Sequence, residues 1–263
     1  MRKLTIIKLG GSIITDKSKP LTARRNAIRR LGREIVSSEY KSRLIITHGS
    51  GSFGHSVAKT YKTAEGIINK RSIKGMVLTS DVALEINRIV MKELIRIGMS
   101  VKSFVPGSFL VAENKWLKRG FIEPIKQSLL RGITPVVFGD VVMDLERGFC
   151  IFSTEKVIEF LVVSLNKNYK LESIIYCTDT DGVYDERGKT IAKITPKNFK
   201  RVKKQIGESG SADVTGGMIH KVEESLKLAK KFGLNVRIIN GNKKGNLKSV
   251  LGGRNTQQTV IVT

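Results

Sequence analysis

Short apolar runs alternate with longer amphipathic, charged stretches along the 263-residue chain, and this alternation constrains the fold most. Each run is too short for a typical helix, which indicates a buried strand. The runs are Leu4–Leu9, Arg43–Thr47, Val101–Val105, Thr134–Phe138, Ser173–Cys177, Asn235–Ile239 and Thr259–Val262. Helices are predicted over Thr22–Ser38, Ile73–Ile97, Glu155–Leu165 and Ile219–Phe232. Thr22 is the expected N-cap of the first, and the second segment forms either one helix or two. Strands that alternate with helices predict an α/β fold whose mostly parallel sheet is covered on both faces.

The chain lacks the features that would divide it or send it to a membrane. No repeat and no Pro/Gly/Ser-rich joint interrupts it, so one domain over residues 1–263 is predicted. No apolar run approaches the roughly 18–20 residues that a membrane span needs. The apolar patch Leu4–Ile7 is too short for a signal-peptide core. We therefore expect a cytoplasmic protein in which Cys150 and Cys177 are buried free thiols.

The net charge of +24 favours an anionic ligand. Nucleic acid, phosphorylated metabolites and anionic membrane surfaces all fit this charge. The basic residues are spread along the whole chain, without a basic tail, zinc-finger spacing or RNP-like aromatic motif. Nucleic-acid binding is therefore not favoured as the main function, and the charge is expected to steer phosphate-bearing ligands towards a cleft.

Glycine-containing polar loops follow five of the predicted strands. They are Lys8–Gly11, His48–Gly54, Gly139-Asp140, Thr178–Gly182 and Asn240-Gly241. In open α/β sheets, ligands bind beyond the carboxyl ends of the strands. The sequence therefore predicts a site along this edge of the sheet.

The first two loops carry the residues that suit an anion best. Gly10 and Gly11 let backbone N–H groups approach an anion, and Lys8 adds a positive charge inside an apolar strand. The glycine- and serine-rich loop that follows His48 ends in His55. A functional role is predicted for His55, and a structural one for His48 at its strand end.

Two later segments extend this pattern. Thr178–Gly182 is predicted to contain an Asp-Gly turn, and its carboxylates Asp179 and Asp181 either contact a nucleotide or organise nearby lysines. Gly216-Gly217 precedes a helix that carries Lys221, and a helix N-terminus receives phosphate well. Glycine-rich loops with separated lysines suggest phosphoryl transfer, in which catalysis depends on positioning and cationic stabilisation.

Taken together, these segments resemble the amino acid kinase superfamily, and within it the archaeal-type isopentenyl phosphate kinases. The matching strings are Lys8–Ser12 with Thr15–Lys17, His48–His55, Thr178–Gly182 and Asp213–Lys221, in the family's order. The resemblance implies a three-layer α/β/α sandwich around a mostly parallel open sheet, and a homodimer. It also implies transfer of phosphate from ATP, with Mg²⁺, to isopentenyl phosphate, giving isopentenyl diphosphate for isoprenoid biosynthesis.

The resemblance also implies roles for particular residues. The catalytic set is Lys8, Lys17, His55 and Lys221. The nucleotide contacts are Lys8, Gly10, Gly11, Ser12, Ser50, Gly51, Asp179, Gly182, Gly216, Gly217 and Lys221. The substrate contacts are Gly49, His55 and Glu155, and no side chain is assigned as a metal ligand. An N-terminal lobe of about residues 1–165 would bind the phosphate substrate, and the remaining C-terminal lobe the nucleotide. The predicted helix Ile73–Ile97 is the expected wall for the prenyl tail, through Met76, Val77 and Val82.

This sequence departs from the family pattern at two places. Ser50 stands where the family usually has glycine. Ser153–Lys156 replaces the usual Ser-Gly-Asp-Asp, so that Glu155 is one methylene longer than the first Asp and Lys156 reverses the charge of the second. Two alternatives therefore stay open: a kinase of another small phosphate or phosphonate, such as fosfomycin, and a non-catalytic protein that binds nucleotide or nucleic acid.

Overall fold

The computed structural model describes residues 1–40, 42–208 and 217–263 of the chain. Its strands are β1 (Arg2–Leu9), β2 (Arg43–His48), β3 (Val101–Ser103), β4 (Leu110–Glu113), β5 (Trp116–Gly120), β6 (Thr134–Phe138), β7 (Asp140–Asp144), β8 (Gly148–Phe152), β9 (Tyr169–Thr178), β10 (Lys193–Ile194), β11 (Asn235–Asn240) and β12 (Gln258–Ile261). Its helices are α1 (Gly11–Ile14), α2 (Arg25–Val36), α3 (Gly54–Thr60), α4 (Ser72–Arg96), α5 (Glu123–Leu130), α6 (Thr154–Leu165), α7 (Phe199–Glu208), α8 (Gly217–Phe232) and α9 (Asn246–Leu251).

The central feature is an eight-stranded sheet in the order β10-β12-β11-β9-β1-β2-β6-β3. Its neighbouring strands run parallel except β11 and β12, which are antiparallel. Parallel neighbours require crossover connections, and the helices supply them. The predicted α/β fold with a mostly parallel sheet is confirmed.

Apolar side chains cover both faces of this sheet, as the runs of consecutive hydrophobic residues predict. In β1, Leu4 and Ile6 belong to one core cluster, and Ile7 and Leu9 belong to the other. Helices α6 and α8 pack on the first face, and α2, α4 and α9 on the second. This gives the three layers that the resemblance implies. None of the described helices is long and apolar enough to cross a membrane.

The predicted N-cap at Thr22 is wrong. Helix α2 begins at Arg25, with Arg24 at its N-cap position. The Thr22 hydroxyl donates instead to the Pro20 carbonyl, at 2.9 Å, so it serves the preceding turn. The predicted helix Ile73–Ile97 is one continuous helix, α4.

A second, four-stranded sheet in the order β5-β4-β7-β8 lies outside the predicted strands. Strand β5 is exposed along its whole length, so it shows no alternation of buried and exposed positions. Strands β7 and β8 bring Val141, Ile151 and Phe152 to the cavity described below. This sheet therefore contributes part of the candidate site.

Asp144 organises the turns at the end of this second sheet. Its carboxylate accepts hydrogen bonds from the backbone N–H groups of Asn114, Lys115, Glu146 and Arg147. Burial alone would raise the pKa of the Asp144 carboxyl, but these donors outweigh it and lower the pKa from 3.8 to about 2. The carboxylate therefore stabilises the fold above its unfolded-state pKa, and that contribution is lost as the pH falls through the folded-state pKa.

We expect Asp144→Asn to lower the free energy of unfolding by about 2 kcal/mol near neutral pH. The amide keeps one acceptor oxygen but turns an NH₂ group towards a backbone donor. Urea unfolding of both proteins checks this, and the difference between them should shrink as the pH is lowered towards about 2. A difference that stays constant with pH would show that the carboxylate charge is not the cause.

Candidate active site

A cavity of about 410 Å³ opens at the carboxyl ends of β9, β1, β2 and β6, the edge at which the sequence predicts a site. Most of the predicted site residues line it, although they come from distant parts of the chain. These are Lys8, Gly10, Gly11, Ser12, Lys17, Gly49, Ser50, Gly51, His55, Glu155, Asp179 and Lys221. Twelve of the fifteen predicted catalytic, nucleotide-binding and substrate-binding residues therefore line this cavity.

The three other positions differ from one another. Gly182 does not line the cavity; it adopts a φ of +145°, and a Cβ there would meet Thr259 of β12, so the turn itself requires a glycine at this position. Gly217 is the first residue of α8. Gly216 lies outside the described residues, as does the rest of the predicted segment 213–216.

The two glycine loops pack directly on each other at the mouth of β1 and β2. A Cβ on Gly11 would lie 2.6 Å from the Gly51 Cα atom, so a larger residue would separate the loops. Thr15 joins them from below: its hydroxyl donates to the Gly11 carbonyl at 2.7 Å and accepts from the Ser52 N–H at 3.1 Å. Backbone N–H groups of both loops are thereby held close to one another, as an anion site requires.

Three charged groups meet on one wall of the cavity. The Lys8 ammonium of β1 forms an ion pair with the Glu155 carboxylate of α6, and the positive charge of Lys221 of α8 also attracts that carboxylate electrostatically. Burial raises the pKa of the Glu155 carboxyl, but Lys8 and then Lys221 outweigh this effect and hold the pKa below its ordinary value. Glu155 is therefore ionised and keeps Lys8, whose side chain is only 12% exposed, directed into the cavity.

Lys17 and Asp179 form a second ion pair at the rim. The Lys17 ammonium lies 3.0 Å from the Asp179 carboxylate, and both side chains are exposed. Burial raises the pKa of the Asp179 carboxyl, but Lys17, with smaller contributions from a backbone N–H and from Ser12, holds that pKa below its ordinary value. Because exposed pairs of this kind contribute little to stability, Lys17 is available to exchange this partner for a ligand phosphate.

The two histidines of the second loop occupy different environments. His48 is fully buried, stacks on Phe138 and has its Nε2 atom 3.2 Å from the Asn87 Oδ1 atom. Burial lowers the pKa of His48, which keeps the ring neutral and fits the structural role predicted for it. His55, on the first turn of α3, is exposed and lines the cavity. Of the two, only His55 is placed to touch a ligand.

One part of the cavity lining is apolar. Helix α4 forms part of it, as expected, but through Thr79 and Ala83. The predicted residues do not line it: Val82 packs into the core between α4 and the sheet, and Val77 is exposed. Met76 does not line the cavity either. The other aliphatic and phenyl side chains of the lining are Ala58, Val141, Ile151, Phe152 and Met218.

In the segment Ser153–Lys156, which departs from the family pattern, the charged side chains of Glu155 and Lys156 point to different surroundings. The Ser153 side chain caps α6 by accepting from the Lys156 N–H at 3.3 Å, and Glu155 lines the cavity. Lys156 does not itself line the cavity: its ammonium donates to the Lys115 carbonyl at 2.7 Å and lies 5.5 Å from the ring centroids of both Trp116 and Phe152, of which Phe152 lines the cavity. The reversed charge of Lys156 therefore lies where α6 contacts β5 and β8, behind the Phe152 ring of the cavity lining.

Tyr176 and Asp140 also line the cavity; the sequence predicts no role for Tyr176 and names Asp140 only as part of a strand-end loop. Asp140 accepts hydrogen bonds from the Gly107 N–H and the Ser80 hydroxyl, and burial, the largest effect, raises the pKa of its carboxyl. Tyr176 stands beside Lys8 because β9 and β1 pair in that register. This register was the missing signal, since it follows from strand pairing and not from local sequence.

The site thus combines the backbone N–H groups of the glycine loops with Lys8 and Lys221 on one wall of the cavity and Lys17 at its rim. Such an arrangement suits the spread negative charge of a transferring phosphoryl group. Within the described residues there is no group of three or more His, Cys, Asp or Glu side chains that could hold a metal ion. This part of the chain therefore provides cationic and backbone stabilisation, and no metal cage built from protein ligands.

Known proteins share this fold and sequence. The model of the amino acid kinase family matches residues 3–240. The chain is 34% identical to the isopentenyl phosphate kinase of Methanocaldococcus jannaschii, over 95% of each chain, and 34% identical to that of Methanothermobacter thermautotrophicus, over 98% of each. A crystal structure of an isopentenyl phosphate kinase superimposes with a TM-score of 0.81 at 30% identity, covering 98% of this chain and all of that one.

The fold, the glycine loops and the family match define the class: the chain belongs to the amino acid kinase family. Within that family, the chain resembles the isopentenyl phosphate kinases along nearly its full length.

Proposed function

We propose that the protein transfers the γ-phosphoryl group of ATP to the phosphate of isopentenyl phosphate, giving isopentenyl diphosphate and ADP. The observation that carries the proposal is that one cavity contains both an apolar wall and a set of cationic and backbone donors. The full-length similarity to isopentenyl phosphate kinases supports the same substrate.

The proposed roles follow from the position of each residue. Lys8 and Lys221 bind the ATP phosphates and stabilise the transferring group, and Lys17 assists from the rim. His55, with the backbone N–H near Gly49, donates hydrogen bonds to the substrate phosphate. Glu155 acts by holding Lys8 in place. The remaining proposed nucleotide contacts are Gly10, Gly11, Ser12, Ser50, Gly51, Asp179, Gly216 and Gly217.

Mg²⁺ enters this proposal as part of the Mg·ATP substrate. Magnesium commonly binds one or two carboxylates together with substrate phosphates, and needs no cage of protein ligands. Glu155 and Asp179 are carboxylates in the cavity lining that suit this role. The ion would neutralise charge on the nucleotide phosphates, while the lysines and loops of the chain position them.

Three wider features belong to the proposal. The lobe of about residues 1–165 binds the phosphate substrate, and the remaining lobe binds the nucleotide. The protein acts as a homodimer, which light scattering of the purified chain would test. Its location is the cytoplasm.

The substrate is tested by ADP release with isopentenyl phosphate, methyl phosphate and fosfomycin compared side by side. Burying four additional carbon atoms contributes about 3 kcal/mol, so kcat/KM for isopentenyl phosphate should exceed that for methyl phosphate by about 100-fold. Equal values would refute a prenyl-binding wall. A preference for fosfomycin would support a phosphonate kinase. ATP-dependent thermal stabilisation without turnover would support the non-catalytic alternative.

A further inference from the structure

The ammonium groups of Lys8 and Lys221 lie over the ring of Tyr176, a residue to which the proposed function gives no role. The Lys8 Nζ atom lies 5.7 Å from the centroid of the Tyr176 ring, and the Lys221 Nζ atom lies 5.9 Å from the same centroid. Two cations from separate elements, β1 and α8, therefore share one ring. The contacts fall within the roughly 6 Å over which an ammonium is attracted to an aromatic face.

We propose that Tyr176 is a positioning residue for phosphoryl transfer, whose buried ring holds the ammonium groups of Lys8 and Lys221 where the nucleotide phosphates arrive. This inference rests on the proposed function, because it concerns how that function's two lysines are placed. In this proposal Tyr176 acts through the two lysines over its ring and transfers no group or proton itself.

The position of the ring is fixed by the fold. Lys8 and Tyr176 are paired residues of the parallel strands β1 and β9, so their side chains leave the sheet on the same face. Tyr176 is 3% exposed and belongs to the core cluster beneath α6 and α8. Its hydroxyl lies next to Ser225 of α8, one turn after Lys221. The ring cannot move without disturbing the core, so it is a rigid support.

An aromatic support has an advantage that a second carboxylate would lack. Glu155 attracts Lys8 strongly, but a carboxylate also repels an incoming phosphate. The ring face attracts the ammonium groups through its quadrupole and carries no net charge. It therefore leaves the charge and N–H donors of both lysines available to the phosphates. The buried Tyr176 ring also keeps water away from the side of the lysines that faces the core, and a lower local dielectric strengthens their interaction with phosphate.

The test compares Tyr176→Phe, which keeps the ring, with Tyr176→Leu, which removes it. Tyr169→Leu is the matched control, because Tyr169 is a buried tyrosine of the same strand and core cluster. We expect Phe to stay within about 3-fold of the wild-type kcat and Leu to lose at least about 10-fold. The KM for isopentenyl phosphate should change little, since the ring acts through the lysines. Tyr169→Leu should lose thermal stability and keep kcat.

A second readout does not depend on turnover. The rates at which Lys8 and Lys221 react with an amine-acylating reagent are measured by mass spectrometry. Both lysines should react at least about 3-fold faster in Tyr176→Leu than in the wild type or Tyr176→Phe, because the ring no longer restrains them. Unchanged rates would overturn the inference. So would a Phe variant as impaired as Leu, or a Tyr169→Leu variant with the same loss of kcat. A wild type that forms no product contradicts the proposed function alone, and the acylation rates then decide the role of the ring.

Discussion

Replacing Lys8 with Met is expected to lower kcat by about 10²–10³-fold. One positioned donor in a water-poor site contributes about 3–4 kcal/mol to the transition state, and the Lys8 side chain is only 12% exposed. Met is similar in length and apolarity to the aliphatic stem of lysine, so the substitution removes the charge and keeps most of the packing. Steady-state kinetics with saturating ATP and isopentenyl phosphate measure the effect.

The same substitution affects stability, and a second variant separates the two effects. Lys8→Met leaves the Glu155 carboxylate without its main partner, which costs folding free energy. Combining Lys8→Met with Glu155→Gln removes the uncompensated charge. The double variant should therefore recover thermal stability while kcat stays low. An unchanged kcat in Lys8→Met would remove this residue from the transition state.

Replacing His55 with Ala is expected to lower kcat/KM for isopentenyl phosphate by about 100-fold or more, because a donor to the substrate phosphate is lost. The His55 side chain is exposed, so the melting temperature should stay close to that of the wild type. The KM for ATP should change little, since the proposed contact is to the acceptor phosphate. Kinetics with each substrate varied in turn separate these effects.

Ser56→Ala is the matched control for His55. Ser56 is the next residue of α3, is exposed and does not line the cavity. This variant should keep wild-type kinetics. Near-normal turnover in His55→Ala would refute the role of the imidazole. Equal losses in both variants would indicate a general disturbance of α3.

Seven of the eight strands of the main sheet could be predicted from the sequence because they are short apolar runs, five of them ending in glycine-containing loops, whereas the two-residue strand β10 could not. Leu4–Leu9 and Asn235–Ile239 are examples, and each differs from its observed strand by at most two residues at either end. The second sheet could not be predicted in this way. Its strands are short, and β5 is exposed throughout, so neither burial nor alternation marks it.

The candidate site likewise contains residues that local sequence predicts and residues that only the tertiary structure brings there. Lys8, His55 and the glycine loops could be predicted because each lies in a local string of residues suited to phosphate. Val141 and Ile151 could not, since they lie on strands of the unpredicted sheet. The sequence predicts helix α4 but not which of its residues line the cavity; these are Thr79 and Ala83 because tertiary packing sets the rotation of the helix.

The most direct test of the central claim is ³¹P NMR of the protein incubated with Mg·ATP and isopentenyl phosphate. The account predicts a new diphosphate signal from isopentenyl diphosphate that grows in step with ADP, one for one. It would be contradicted if ATP bound to the protein but no diphosphate formed from isopentenyl phosphate.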